Sequence, residues 1–397
     1  MRVVITSRIF APEPAAAAYR LAALARALAD GGDRVTVLTT RAPAADSGEP
    51  AASAGIHQAS GPAPTVPIRV RRFPVLRDAS GQVRGYLQYL SFDVPLAFRL
   101  LFARGVDVVV TEPPPTTGFV VRMACALRRI PYVYYAADIW SDAAESTGAP
   151  AFVVSVVRRL ESWALRGARA VIAVTDGVAD RARELAGHDR VTVVRNGIDT
   201  TVFTPDGPVT DGPPTAVYAG TTSEWQGADV FVRAWPRVRA AVPDARLMFL
   251  GQGSAWADLQ RLARELAPDA VEFHDLVPPR EAAVALRSAR VGVVSLKPGQ
   301  GYDFAFPTKV YAALGCGTPV VYVGPGEASA VIERDRLGRA VAYDVEATAA
   351  ALIELLQRDR RDERERLSTW TNEHASIGAA AGAAARVVRD GARAGGA

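Results

Sequence analysis

Short valine-rich runs alternate along the chain with longer stretches in which apolar side chains recur at spacings of three and four. The runs Val3–Ile5, Val35–Thr39, Ile68–Arg72, Val106–Val110, Tyr132–Tyr135, Val171–Val174 and Val191–Val194 predict strands. Between them lie helical stretches such as Ala15–Ala29, where Leu21, Leu24 and Leu28 share a face. Strand and helix in alternation predict a parallel sheet covered by helices.

The sequence TPDGPVTDGPP at Thr204–Pro214 reads as a linker, after which the pattern restarts. Strands are expected at Ala216–Tyr218, Leu247–Leu250, Val271–Phe273, Val291–Ser295 and Val320–Tyr322. Helices are expected at Ala228–Ala241, Ala255–Leu266, Arg280–Ser288 and Thr308–Leu314. The expected organisation is therefore a domain over residues 1–202, a second over 203–370, and a C-terminal helix and tail over 371–397, with Ala379–Ala397 fraying. Ala42–Pro67, rich in Ala, Ser, Pro and Gly, reads as a surface loop. Two doubly wound halves would turn the carboxyl ends of their strands toward a shared cleft, where open α/β sheets take ligands.

Composition narrows the function. Of 397 residues, 49% are hydrophobic and 22% charged, which is globular. A net charge of +4 is too slight for a dedicated nucleic-acid binder, although the positive excess lies in the first half, which could meet something anionic. Two distant cysteines, Cys125 and Cys316, exclude a disulfide scaffold and suit a reducing, cytoplasmic setting. No apolar run is long enough to span a bilayer, and the block Val3–Ile5 is too short for a signal peptide. Val83–Phe102, with Tyr86, Tyr89, Phe92, Phe98 and Phe102 beside Arg84, Arg99 and Arg104, admits two readings. It would either pack against the sheet, the commoner use of such a stripe, or lie on a membrane surface.

Only two lysines accompany the many arginines, and both, Lys297 and Lys309, fall in one loop-to-helix region. Pro307-Thr308 looks like a helix start, so its free backbone N–H groups and the Lys309 ammonium together form a candidate anion site. Gly220-Thr221-Thr222 after a strand, with Gln226-Gly227 opening the next helix, would let backbone approach a phosphate or would simply turn the chain. Gly251-Gln252-Gly253 is a weaker example of the same pattern. Asp138, just past the strand Tyr132–Tyr135, would either orient a hydroxyl or cap a helix, and Asp303 carries the same pair of readings. Asn196-Gly197 is most simply a turn. The four histidines are isolated, and no HExxH, GxSxG, GxxxxGK[ST] or strand-following Asp-x-Asp occurs, so a metal is not expected.

Taken together and in order, RVVITSRIFAPEPAAAAYRLAALARAL, ADIWSD, VTVVRNGIDTTVF, AGTTSEWQGADVFVRAW, ARLMFLGQGS and FPTKVYAALGCGTPVV resemble the family-4 glycosyltransferases. The resemblance covers nearly the whole chain. It implies the GT-B fold, two Rossmann-like domains facing a central cleft, with the acceptor in the first domain and the nucleotide sugar in the second. The implied chemistry is retaining and metal-independent: the departing phosphate takes the acceptor's proton, and the enzyme stabilises the leaving diphosphate. Carried over, Lys309, Thr308, Gly220, Thr221, Gln226 and Gly251 would bind the donor's diphosphate end, Asp303 would face its sugar, and His274, Leu276 and Val277 its base. Tyr19, Arg20 and Asp138 would lie near the acceptor, with Asp138 and Lys309 closest to the reaction.

Three positions depart from the family pattern. The paired glutamates fall at Phe304 and Ala312, and Ala312 in place of a ribose-holding acid admits a dTDP-sugar beside a UDP-sugar. The phosphate-gripping Arg and Lys correspond to Thr221 and Gln226. Ala15–Ala18 replaces a glycine pair. The expected activity is transfer from a nucleotide sugar to a lipid-linked saccharide or small-molecule hydroxyl, at the inner membrane face or free in the cytoplasm. The resemblance leaves two alternatives: a nucleotide-sugar epimerase of the same fold, and a non-catalytic partner subunit that only binds the sugar nucleotide.

Overall fold

The computed structural model describes residues 1–13, 15–41, 64–78, 83, 85–146, 148–300, 303, 305–358 and 361–393. Phe304, Arg84 and residues 42–63 of the expected surface loop lie outside them. The chain divides into two compact units, Met1–Asn196 with Ile377–Ala397, and Gly197–Ser376.

In the first unit, β1 (Arg2–Thr6), α1 (Ala16–Asp30), β2 (Arg34–Thr40) and β3 (Arg69–Phe73) are followed by α2 (Tyr86–Phe102), β4 (Val108–Thr111) and α3 (Pro115–Arg128). Then come β5 (Tyr132–Ala136), α4 (Trp140–Ser146), α5 (Ala151–Gly167), β6 (Ala170–Ala173), α6 (Asp176–Ala186) and β7 (Val191–Val193). The seven strands pair in parallel in the order β3-β2-β1-β4-β5-β6-β7. Val108–Val110 and Val133–Tyr135 are almost fully buried, which is why these strands read as unbroken apolar runs. Right-handed crossovers running outward from β1 and β4 place α1 on one face of the sheet and α3 on the other. Helices α2, α3, α5 and α6 then pack side by side in that order as a single layer.

The second unit repeats the plan. Its elements are β8 (Thr215–Ala219), α7 (Asp229–Ala241), β9 (Arg246–Leu250), α8 (Trp256–Leu266), β10 (Val271–His274), α9 (Pro279–Ser288) and β11 (Val291–Ser295). They continue with α10 (Thr308–Gly315), β12 (Val320–Val323), α11 (Glu327–Arg334), β13 (Gly338–Val341), α12 (Val345–Gln357) and α13 (Arg364–Ala375). This sheet runs β10-β9-β8-β11-β12-β13, again parallel. Tyr218, Phe231, Trp235 and Phe249 fill its core.

Two expectations change. Residues 379–393 do not fray: α14 (Ile377–Arg393) is a regular helix, and it packs on α1 and on β4, β5 and β6 of the first unit, while 394–397 lie outside the described residues. Ala381, Ala384, Ala385 and Val388 recur at helical spacing and are buried, and Arg389 reaches Asp33 at 2.9 Å. Alanine is the best helix former, and its small side chain lets the helix lie close to the sheet. The second change concerns Val83–Phe102, only part of which packs inward. Phe92, Leu96 and Leu100 are buried, with Phe92 stacked 5.2 Å from Phe73, whereas Leu87, Leu90, Val94, Phe98 and Phe102 are exposed.

Candidate functional site

In each sheet the strand order reverses once, between β1 and β4 and between β8 and β11, and the crevice at such a reversal is where this fold takes ligands. Some of the sequence-predicted residues lie at these two points, Gly220 and Lys309 after β8 and β11 in the second unit, and Arg20 and Asp138 after β1 and β5 in the first.

In the second unit the loops leaving β8 and β9 lie backbone against backbone. Gly220 has φ +126° and donates its N–H to the Leu250 carbonyl at 2.7 Å. A Cβ on Gly251, at φ +148°, would stand 2.2 Å from the Gly220 oxygen, so glycine is required there by close approach. Across this turn lies Lys309, in the first turn of α10: a Cβ on Gly220 would come within 2.9 Å of its Cε. Its Nζ sits 5.0 Å from the Tyr218 ring centroid. Among the described residues the ammonium has no hydrogen-bond or ion-pair partner. Lys309 keeps some contact with solvent, yet the protein around it depresses its pKa from 10.5 to about 7, with burial the single cause. The N-cap of α10, Pro307, offers no side-chain cap, and among the described residues no side chain accepts the N–H groups of Thr308 and Lys309. An anion is the group this arrangement lacks.

The other donor-side candidates are placed less directly. Thr221 is exposed on the same loop. Gln226 is buried and serves the loop itself: its Oε1 accepts from the Ser223 N–H at 3.0 Å and from the Tyr218 hydroxyl at 3.2 Å. It ends a 3₁₀ turn, Glu224–Gln226, rather than opening α7. Asp303 accepts the Gly299 N–H at 3.1 Å, a loop contact. His274, beside Glu272 at 3.6 Å, and Leu276 are exposed, while Val277 packs on the core. Ala312 is buried in that core as well.

In the first unit Arg20 and Asp138 come together. Arg20, on α1, is buried; it pairs with Glu112 at 2.9 Å, donates to the Asn196 side-chain oxygen at 3.3 Å, and lies 4.9 Å over the Tyr135 ring. Asn196 therefore does more than turn the chain. Burial pushes the Asp138 carboxyl up, and the nearby Arg20 guanidinium pulls it down. Asp138 is not the cap of α4. That role falls to Glu161 of α5, whose two oxygens accept the N–H groups of Trp140 and Ser141 at 2.8 and 2.9 Å. Tyr19 is exposed on α1.

The sequence reading missed three residues here. Glu112, directly after β4, also accepts the Ser7 hydroxyl at 2.5 Å. Arg8 is buried with its guanidinium 4.0 Å over the Tyr89 ring and 5.9 Å from Trp140, and burial lowers its pKa. Its Nε and Nη1 have no partner among the described residues. The available signal was position: Ser7, Arg8 and Glu112 follow the two strands that flank the reversal. A separate cavity of about 710 Å³ lies along α4, α5 and α6, lined by Arg158, Trp163, Arg166 and Glu184 among others. None of the sequence-predicted site residues lines it. Among the described residues no group of His, Cys, Asp and Glu converges as a metal site would.

Residues 17–202 match the family model for Glycosyltransferase Family 4, and residues 213–358 that for Glycosyl transferases group 1. The two matches together run along most of the chain, and its two helix-covered parallel sheets are those of the GT-B fold. It is 30% identical over 195 residues to the phosphatidyl-myo-inositol mannosyltransferase of Mycolicibacterium smegmatis, covering 48% of each chain. Over 223 residues it is 32% identical to the D-inositol 3-phosphate glycosyltransferase of an Arthrobacter strain, covering 51% of each. The chain thus spans about half the length of the curated relatives it matches. Among solved structures, Anabaena HepE in complex with UDP superposes with a TM-score of 0.70 at 15% identity, covering 98% of this chain and 100% of HepE.

Proposed function

We propose that the protein transfers a sugar from a nucleotide-sugar donor to an acceptor hydroxyl, with retention at the anomeric carbon and without a metal. The observation that carries this reading is Lys309: an ammonium whose pKa burial lowers to about 7, without a hydrogen-bond or ion-pair partner among the described residues, laid across Gly220 at the start of α10. In this reading the second unit holds the donor. The diphosphate takes charge-assisted bonds from Lys309 and from the N–H groups of Thr308 and Lys309, supported by Gly220, Thr221 and Gly251. Asp303 and Gln226 shape the surrounding loops, and His274 to Val277 lie toward the base.

The first unit holds the acceptor, near Tyr19, Arg20 and Asp138. The acceptor oxygen attacks the anomeric carbon as the bond to the diphosphate breaks on the same face, and its proton passes to the departing phosphate oxygen. Lys309 and the helix start then stabilise charge that grows as that bond opens. Asp138 orients the attacking hydroxyl. UDP- and dTDP-sugars are the donors proposed, the buried Ala312 offering no carboxylate for a ribose 2′-hydroxyl. The mannosyltransferase relative named for a phosphatidylinositol acceptor favours a lipid-linked acceptor, and with it peripheral contact at the inner membrane face.

Calorimetric titration with UDP, GDP, dTDP and their common sugars in EDTA tests the donor side. One nucleotide binding tightly, and more weakly to Lys309→Ala, is the expected result. Absence of binding across the panel would overturn the reading. Donor hydrolysis or isomerisation without an acceptor would favour an epimerase instead.

A further inference from the structure

Helix α2 has two apolar faces where a surface helix ordinarily has one. Its inner face, Phe92, Leu96 and Leu100, is buried against the unit. The outer face carries Leu87, Leu90, Val94, Phe98 and Phe102, which are 70%, 51%, 50%, 59% and 79% exposed. At 100° per residue these five fall within an arc of about 120°, and they extend over about 22 Å of helix. The neighbouring helices of the same layer add Met123 and Leu127 on α3 and Phe152 and Val156 on α5, all exposed.

Charge tells what covers this surface. Within α2, α3 and α5 the only acids are Asp93 and Glu161, and both are buried. Asp93 accepts the Thr117 hydroxyl at 2.6 Å, and Glu161 caps α4. On these three helices the exposed charges are therefore cationic, Arg99, Arg159 and Arg166, with Arg104 and Arg129 just past the ends of α2 and α3, while the exposed acids Glu145 of α4 and Glu184 of α6 flank α5 and pair with Arg158 and Arg181. An apolar stripe on helices whose own exposed charges are all arginines complements a surface with hydrocarbon beneath and negative charge above.

We propose that the α2–α3–α5 face of the first unit docks on a bilayer containing anionic lipid, seating Leu90, Phe98 and Phe102 among the acyl chains and the arginines among the headgroup phosphates. This deepens the membrane contact proposed above and rests on it. Tyr89, on the inner face of α2, lies under Arg8 beside the first-unit site, so docking would hold that site one helix away from the lipid surface.

Vesicle co-sedimentation without any sugar nucleotide tests it, so that failure here leaves the transfer reading standing. The full chain should sediment with vesicles of 30% phosphatidylglycerol in phosphatidylcholine and at least tenfold less with pure phosphatidylcholine. Leu90→Glu/Phe98→Glu should lower partitioning at least tenfold while the circular-dichroism melt is unchanged. Arg129→Gln/Arg159→Gln/Arg166→Gln should weaken it and flatten its salt dependence. Equal binding to neutral vesicles, no binding at low salt, or unaltered binding by folded variants would overturn the proposal. So would a lipid-free dimer in sedimentation velocity that Leu90→Glu/Phe98→Glu dissociates, which would assign the face to a second copy of the chain.

Discussion

Replacing Lys309 by methionine should make the protein more stable and less able to bind a nucleotide diphosphate. A fall in pKa from 10.5 to about 7 means that the folded state disfavours the ammonium by about 4–5 kcal/mol at and below neutral pH. Residual solvent contact screens part of this, leaving about 2–4 kcal/mol for methionine to recover while its side chain fills the space of the lysine stem. For a unit of roughly 180 residues that is a rise of about 4–16 °C in melting temperature. The sign with pH is fixed: the unfolded chain binds the proton up to about pH 10.5 and the folded chain only to about pH 7, so the wild-type deficit is full below pH 7 and shrinks as pH rises between them. The gap between the two proteins should roughly halve at pH 9. Nucleotide diphosphate binding re-protonates Lys309, so wild-type affinity should fall with pH above 7 and the methionine variant's should not. Melts from pH 6 to 9 and calorimetry in two buffers of different ionisation enthalpy read both effects. A lower melting temperature together with unchanged nucleotide affinity would refute the assignment.

Glu112→Leu strands the buried Arg20 guanidinium and should cost about 3–5 kcal/mol in denaturant melts, much of it recovered by adding Arg20→Met; a loss below about 1 kcal/mol would show that the pair is not sealed from water. Asp138→Asn should leave nucleotide affinity within twofold while cutting transfer at least tenfold. Because burial disfavours the ionised carboxyl, this variant should be no less stable than wild type at neutral pH, and a lowered melting temperature would make Asp138 structural. Gly220→Ala, strained at φ +126° and pressed on Lys309 Cε, should cost about 1–3 kcal/mol and weaken nucleotide binding; unchanged affinity would place the diphosphate elsewhere.

Most of the two sheets was legible because their strands are buried on both faces, so that Val108–Val110 or Val291–Val294 stand out as apolar runs. The edge strand β13 was not: in Gly338–Val341 no residue is fully buried and Arg339 is exposed, which leaves no apolar signal. α14 was misread for the opposite reason, since a run of alanines and glycines carries little hydrophobicity of its own yet packs closely. At the site, Lys309 was legible from composition, as one of two lysines. Glu112 and Ser7 were not, because their meaning is a contact between residues 105 apart. The capping reading of Asp138 was removed only by Glu161, a helix away, taking the cap.

The return of the chain to its first unit has a consequence for biosynthesis. The face of β4–β6 that α14 covers belongs to residues made early, whereas α14 is made only after all of Gly197–Ser376. At roughly 5–20 residues per second, the ribosome leaves that apolar face open for on the order of 10–40 s. The nascent protein therefore carries a half-covered sheet, open to chaperones and to neighbouring chains, until α14 emerges.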